Sequence, residues 1–332
     1  KRWEESLKVP GLARFGFGKG GQNMPGSPLG RTLVIANPAA HSGRGEDGAR
    51  FAQEFLQSYA SATRGFEVVR TQGPADATRI ARGARGFDTI LALGGDGVIH
   101  EVVCGLMALP REARPQLGVI PLGSGNDYAR TLGMARNDVE AALAQLVRGR
   151  THHVEVGRVN GTPFMQTLSF GLDAAIALDT TKRRAAGTSQ EGEALFATSA
   201  LRILSNAREG FPVRASFDGE KTQDLSTIIF AVQVGPSYGG GFKICPNADP
   251  TDGLLDVCYN VKLPALPRLM ALLGLARLGR HAGSSVVRLR RCRSLTLDFD
   301  RETPCQADGE KVCGTHFDVS VVPDALDVIF PS

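Results

Sequence analysis

Between Arg31 and Ile120 the chain alternates short apolar runs with amphipathic stretches, and this alternation restricts the fold more than any other feature. The segments Thr32–Ala36, Phe66–Thr71, Thr89–Leu93 and Leu117–Ile120 are short enough for strands of a buried parallel sheet. Between them lie Asp47–Ala60, in which Phe51, Phe55 and Tyr59 recur at helical spacing, then Ala75–Arg85 and Val98–Leu109. The resulting order, β-α-β-α-β-α-β, predicts an α/β unit whose ligand sits beyond the carboxyl ends of its strands.

Past residue 150 the texture changes. Asn160-Gly161 separates Val154–Val159 from Pro163–Phe170, and Asp218-Gly219 separates Val213–Phe217 from Leu225–Val234, both in the manner of hairpins. Helices are expected near 173–184, 194–208 and 264–280, and strands near 254–260, 286–299 and 315–330. The reading is an α/β domain over 31–150 followed by a mostly antiparallel β domain over 151–332. Residues 1–30, dense in Gly and Pro and without periodicity, are expected to be a flexible extension that does not join the core. Gly16-Phe17-Gly18-Lys19-Gly20-Gly21 formally fits G-x-G-x-x-G, yet no apolar strand precedes it and Pro25 and Pro28 follow, so it is rejected as a dinucleotide site.

Composition excludes several classes. With 38 basic and 34 acidic residues, a net charge of +4 and 42% hydrophobic residues, the chain has the make-up of an ordinary folded protein and not of a nucleic-acid coat or a disordered tail. Cysteines stand at 104, 245, 258, 292, 305 and 313 with no C-x-x-C pair, which suits free thiols. The absence of an apolar leader or of a run of about 20 apolar residues leads to the expectation of a cytoplasmic protein.

Three strand ends carry glycine-rich polar turns: Asn37-Pro38-Ala39-Ala40-His41-Ser42-Gly43-Arg44-Gly45, Gly94-Gly95-Asp96-Gly97 and Pro121-Leu122-Gly123-Ser124-Gly125-Asn126-Asp127. A single such turn is ordinary packing at a helix start; three on one sheet edge are a place for phosphate, since glycine lets backbone N–H groups approach its oxygens and helix N-termini favour an anion. Asp96 beside a polyphosphate needs a divalent cation between them, or an incoming hydroxyl whose proton it accepts. Walker A and H-E-x-x-H are absent, and Gly123-Ser124-Gly125 lacks the glycine two residues before its serine that a G-x-S-x-G turn requires.

The glycine-aspartate turn together with Pro121-x-Gly123-Ser124-x-Asn126-Asp127-Tyr128-Ala129-Arg130 resembles the diacylglycerol kinase catalytic-domain family, which includes sphingosine and ceramide kinases and bacterial lipid kinases. Further matches run from about 31 to 330: Asn37-Pro38 with Ser42-Gly43, Thr71, Ser169-x-Gly171-x-Asp173-Ala174, Gly239-Gly240-Gly241-Phe242 with Pro246, Asp252-Gly253, and Asp308-Gly309-Glu310. The resemblance implies a phosphofructokinase-like parallel-sheet nucleotide domain followed by a β-sandwich domain for the lipid, and an ATP- and Mg²⁺-dependent transfer to a lipid hydroxyl. Diacylglycerol is the first expectation and a sphingoid base or other long-chain alcohol the second; NAD kinase shares the glycine-aspartate turn, and a catalytically silent lipid-binding protein is the alternative from another class.

By the same resemblance Asn37, Pro38, Ser42, Thr71, Gly94, Gly95, Gly97, Ser124, Asn126 and Asp127 would serve the nucleotide. Asp96 and Glu310 would divide metal handling and general-base work between them, in an order left open. Asp173 would face the lipid head group or cap a helix, and Asp252 would hold a structural Mg²⁺ or simply make a turn. Val98 stands where the family usually has Thr, and Ala39-Ala40 spaces out the first turn. Between Asp256 and Asp298 there are eight basic residues (Lys262, Arg268, Arg277, Arg280, Arg288, Arg290, Arg291 and Arg293), no acid, and the leucine-rich stretch Leu263–Leu278. This is either a surface drawn to anionic lipid or a buried helix with solvated flanks. The expected partners are ATP and a lipid at a membrane surface, with peripheral membrane association; no nucleic acid is expected, since the basic run lacks interleaved aromatics, and a homodimer is a candidate assembly.

Overall fold

The computed structural model describes residues 28–59, 61–187, 190, 192–204 and 210–332. In chain order the elements are β1 (Arg31–Ala36), α1 (Ala40–Ser58), β2 (Gly65–Arg70), α2 (Asp76–Arg82), β3 (Thr89–Gly94), α3 (Asp96–Met107), β4 (Gln116–Pro121), α4 (Asp127–Leu132) and α5 (Val139–Arg148). There follow β5 (Arg150–Val159), β6 (Thr162–Phe164), β7 (Thr167–Gly171), α6 (Leu172–Ala185), α7 (Gly192–Leu204), β8 (Phe211–Phe217), β9 (Gln223–Thr227), β10 (Ile229–Gln233) and β11 (Leu255–Asn260). The chain closes with α8 (Leu266–Arg277), β12 (Val287–Cys292), β13 (Ser294–Phe299), β14 (Cys305–Ala307), β15 (Glu310–Lys311) and β16 (His316–Phe330).

Strands β2-β1-β3-β4 lie side by side and parallel, as the alternation predicts. All six residues of β3 are buried, the signature of a central strand covered by helices on both faces. In α1 the side chains turned most deeply inward are Ala49, Ala52 and Leu56; the aromatic repeat Phe51, Phe55, Tyr59 packs half-buried along its flank. Small residues against the sheet let the helix approach closely. The glycine-rich segment 16–21 and nearly all of the expected N-terminal extension lie outside the described residues. Its last residues do join the body: Leu29 is fully buried, and its amide donates to Ala62 O at 3.0 Å. An apolar side chain next to a paired backbone outweighs the Gly-Pro texture that suggested a free tail.

Three runs that read as single strands are each two. Pro163–Phe170 divides into β6 and β7, Leu225–Val234 into β9 and β10, and 286–299 into β12 and β13. In every case one half joins the ten-stranded sheet that continues β2-β1-β3-β4 through β16-β13-β8-β9, and the other half joins the six-stranded antiparallel sheet β12-β11-β10-β7-β14-β15. Strands that change sheets make the corners of a sandwich. Between the sheets lies a core of Phe170, Phe217, Phe230 and Phe317 with Leu295 and Leu297, and Phe170 packs on Phe317 at 4.9 Å between ring centroids. Helices α6 and α8 cover the far side of the six-stranded sheet over a third cluster that includes Ile176, Phe242, Cys258 and Leu269.

The last strand ties the halves together. Val319 to Val322 of β16 pair with β5 inside the sandwich, the register shifts between Val322 and Leu326, and Leu326 to Phe330 then pair with the start of β5. There Val328 also pairs with Leu117 of β4, in the parallel sheet. Phe317 and Val319 accordingly belong to the sandwich core, and Leu326, Val328 and Ile329 to the core of the α/β unit. All six cysteines are free thiols, as their spacing suggested. Among the described residues no helix is long and apolar enough to cross a membrane.

Candidate active site

The carboxyl ends of β1, β3 and β4 open into a cleft of about 670 Å³, closed on the other side by α6, the 238–240 loop and the β14–β15 hairpin. All three glycine-rich turns reach it. Asn37 Oδ1 accepts the Ala39 amide at 3.0 Å, and beyond this turn His41, Ser42 and Gly43 all have positive φ (47°, 59° and 92°) before α1 becomes regular. Two non-glycine residues in the left-handed region are strain of the sort that persists where backbone N–H groups are held ready for a ligand. The second and third turns touch: a Cβ on Gly123 would stand 2.5 Å from the Cα of Gly95. Only glycine permits that approach.

Of the residues the sequence nominates, the cleft brings together Asn37, Ser42, Gly95, Asp96, Gly97, Ser124, Asp127 and Glu310. Asp96 lies in the first turn of α3, where its Oδ1 accepts the Tyr128 amide at 3.2 Å. Asp127 opens α4; its Oδ2 accepts the Gly240 amide at 2.8 Å and Arg130 stands 3.5 Å from its Oδ1, so it joins the third turn to the loop of the other half. Pro38, Thr71, Gly94 and Asn126 do not line the cleft. Asn126 works behind it: in the left-handed conformation, its Nδ2 donates to Gly123 O at 2.7 Å and to Asn137 Oδ1 at 3.2 Å. Val98 lines the cleft and rests on the core of the first sheet, presenting an apolar branch where a threonine would offer a hydroxyl.

Asp308 and His100 were not among the nominated site residues. Asp308 opens the Asp-Gly turn of the β14–β15 hairpin (φ 50°, then 95° at Gly309), and Glu310 is the next residue. The buried Asp308 carboxylate accepts three amides, from Met165 at 2.7 Å, Gln166 at 3.0 Å and Thr167 at 2.9 Å, and meets His100 Nδ1 at 2.8 Å. His100 lies one turn of α3 beyond Asp96, and Cys104 Sγ lies 3.4 Å from its Nε2. Burial by itself pushes this imidazole down, but Asp308 and Cys104 together outweigh it and hold it up at about 10. The residues behind Asp96 and Glu310 are therefore a buried ion pair joining the two halves of the chain. A histidine one helical turn after the glycine-aspartate turn was the sequence signal, legible only once its partner is known.

Asp173 lies outside the cleft, in a neighbouring apolar cavity with Ile176, Ile228, Phe242, Ile244 and Leu269. Tyr238 lines both spaces and donates its hydroxyl to Asp173. Burial pushes the Asp173 carboxyl up to about 7, with the Ser169 hydroxyl acting the other way. Asp252 sits in a turn, where it accepts the Leu254 amide at 3.0 Å and pairs with Arg291. Beside it Glu155 is buried, and desolvation, against the Gly253 amide and with Asp252, Asp249 and Asp256 nearby, pushes it up to about 8. Since that value is raised above the ordinary 4.5, the stability carried by the protonated form is complete below pH 4.5 and is lost as pH rises through about 8. Glu155→Gln should flatten the stability profile over that interval in urea titrations at successive pH values. Parallel profiles for variant and parent would refute the assignment.

The donor set of the cleft suits magnesium. Among the described residues lining it there are four carboxylates (Asp96, Asp127, Asp308 and Glu310) and no lysine or arginine. A Cβ on Gly125 would stand 2.8 Å from Asp96 Oδ2 and 3.5 Å from Asp127 Oδ2, so the glycine keeps a space open beside both. No group of three or more ligating side chains is assembled among the described residues. Magnesium is ordinarily held by one or two carboxylates completed by phosphate oxygens and water, so the arrangement fits that ion when it arrives with a nucleotide.

An α/β unit and a β-sandwich sharing a carboxylate-lined, glycine-walled cleft define a phosphoryl-transfer enzyme, and the comparisons give its family. The profile of the diacylglycerol kinase catalytic domain matches residues 31–159, and that of the YegS C-terminal NAD kinase beta sandwich-like domain matches residues 166–330. A diacylglycerol kinase of Mycobacterium tuberculosis is 30% identical over 91% of this chain and 96% of its own length, and one of Bacillus subtilis is 29% identical over 84% and 89%. The crystal structure of a diacylglycerol kinase from Bacillus anthracis superposes with a TM-score of 0.74 at 24% identity, covering 90% of this chain and 96% of that one. The chain belongs to the diacylglycerol kinase catalytic-domain family and is a lipid kinase, with the ATP use that family implies.

Proposed function

We propose that this protein transfers the γ-phosphoryl group of Mg²⁺-bound ATP to the free hydroxyl of diacylglycerol at a membrane surface, yielding phosphatidic acid. The observation that carries the reading is the cleft itself: Asp96 and Glu310, from separate halves, face one space with no cationic side chain among its described lining residues, and through Tyr238 that space adjoins an apolar cavity. A triphosphate there is bound by turn amides and compensated by a metal, while an acyl chain has somewhere to go. The backbone groups of the three turns and the N-terminus of α3 position the phosphates. Asp96, fixed by the Tyr128 amide, would hold the ion with Asp127 beside it. A magnesium ion held there would supply neutralisation of the charge on the phosphate oxygens.

Glu310 is exposed and enters from the hairpin of the other half, so the proton of the attacking hydroxyl is assigned to it. The named relatives of Bacillus subtilis and Mycobacterium tuberculosis point to diacylglycerol over a sphingoid base. The presence of all these groups in one cleft argues against a catalytically silent binder. The test is labelled-phosphate transfer to a panel of diacylglycerol, sphingosine, ceramide and NAD, with Asp96→Ala and Glu310→Ala as controls. Diacylglycerol should be the best acceptor and both variants inactive. A preference for sphingosine would overturn the substrate assignment. Absence of transfer to every lipid, with the Bacillus subtilis enzyme active alongside, would overturn the reaction.

A further inference from the structure

We propose that the outward face of α8 is the surface on which this protein docks to an anionic lipid bilayer. The inference rests on the lipid-kinase reading for its purpose but not for its evidence. Among the described residues five large apolar side chains are strongly exposed, and four of them, Leu263 (49%), Leu266 (43%), Leu275 (40%) and Leu278 (61%), lie on α8 or next to it. The opposite side of the same helix is occupied: Leu269 and Ala276 are buried, and with Leu272 and Leu273 they wall the apolar cavity that holds Asp173. Apolar residues all round a helix belong to one with apolar surroundings on every side. Here protein supplies one side only, and leucines occupy the other as well.

Charge identifies the occupant. Arg268, Ala271, Leu275 and Leu278 follow the i, i+3, i+7, i+10 spacing of a single helical stripe, and all four are exposed. Around it Lys243, Lys262, Arg280 and Arg288 are also exposed. The basic residues further along this segment are neutralised at home, Arg290 by Glu220 and Arg291 by Asp252 and Asp256. Among the described residues no carboxylate lies within ion-pair distance of Lys243, Lys262, Arg268, Arg280 or Arg288. Aliphatic side chains at the centre with uncompensated cations at the rim complement a bilayer bearing anionic head groups. The C-terminal end of α8 is anchored to the loop that feeds the cleft, since Arg277 Nη1 donates to Gly241 O at 3.2 Å, three residues from Tyr238.

The test uses the full chain and sedimentation with vesicles of phosphatidylcholine, with and without phosphatidylglycerol. The parent should pellet with the anionic vesicles and be released by salt. Arg268→Ala/Arg280→Ala should weaken vesicle binding by about 25-fold at low salt, roughly fivefold per cation at the surface. Leu275→Ser/Leu278→Ser should weaken it by at least tenfold on the hydrophobic term. Both variants should phosphorylate a water-soluble short-chain diacylglycerol at the parent's rate and lose activity only on vesicle-embedded lipid. Unchanged vesicle binding in both variants overturns the proposal, as does a leucine variant that converts a dimer to a monomer while vesicle binding persists, because the face then covers a second copy. Vesicle binding is read without turnover, so failure of the kinase reading would show separately, as an absence of phosphorylated short-chain substrate.

Discussion

Glu310→Gln is expected to lower kcat by about 10²–10⁴ while leaving the Kd for Mg²⁺-ATP close to that of the parent. The amide keeps the size of the side chain and removes its ability to accept a proton, and Glu310 stands on the hairpin opposite the glycine-rich turns. Asp96→Asn should behave differently. Asp96 is fixed among those turns beside Asp127, so its loss should weaken metal-nucleotide binding as well as turnover. Single-turnover transfer at saturating lipid, paired with equilibrium titration of nucleotide, separates the two. If Glu310→Gln kept more than about a tenth of parental kcat, the proton would have to leave by another route.

Asp308→Ala should be the most destabilising single change near the site, by about 3–5 kcal/mol, because removing one partner of a buried ion pair strands the other. His100 would lose the counter-ion that holds its proton against burial, and the amides of Met165, Gln166 and Thr167 would lose their acceptor together. A shifted denaturation midpoint, with little change in slope, is the measurement. The pH dependence follows from the raised value at His100: the clamp's contribution is complete below the ordinary 6.5 and disappears as pH rises through about 10, so it is present at neutrality. A parent and an Asp308→Ala variant of equal stability at pH 7 would rule the clamp out. Because the same hairpin carries Glu310, kcat should fall too.

The parallel sheet was legible before any coordinates, because strands buried on both faces must be apolar throughout and must be separated by helices long enough to cross back. The glycine turns were legible for a related reason: few residues other than glycine let backbone meet backbone as Gly123 meets Gly95. Leu225–Val234 shows where legibility ends. No turn residue interrupts it, yet the first half, half-exposed, pairs with β8 in one sheet and the second, mostly buried, with β7 and β11 in the other. Hydrophobicity records that a residue is inside and not which sheet it serves. Thr71 makes the same point at the site: it accompanies the motif in sequence, and its amide extends the sheet by bonding to Ala36 O at 2.8 Å, but it does not line the cleft.

What the order of residues determined alone is local and periodic: the α/β alternation, the three glycine-rich turns and the acids in their motifs. Conformational preference and burial act over a few residues and leave their mark directly on the chain. What only the tertiary structure decided depends on pairs far apart in sequence. His100 meets Asp308 across 208 residues, Asp173 receives its hydrogen bond from Tyr238 across 65, and α8 has one apolar face covered and the other bare. A charge has its meaning from its partner and an apolar side chain from what lies on it, and both are supplied by the fold.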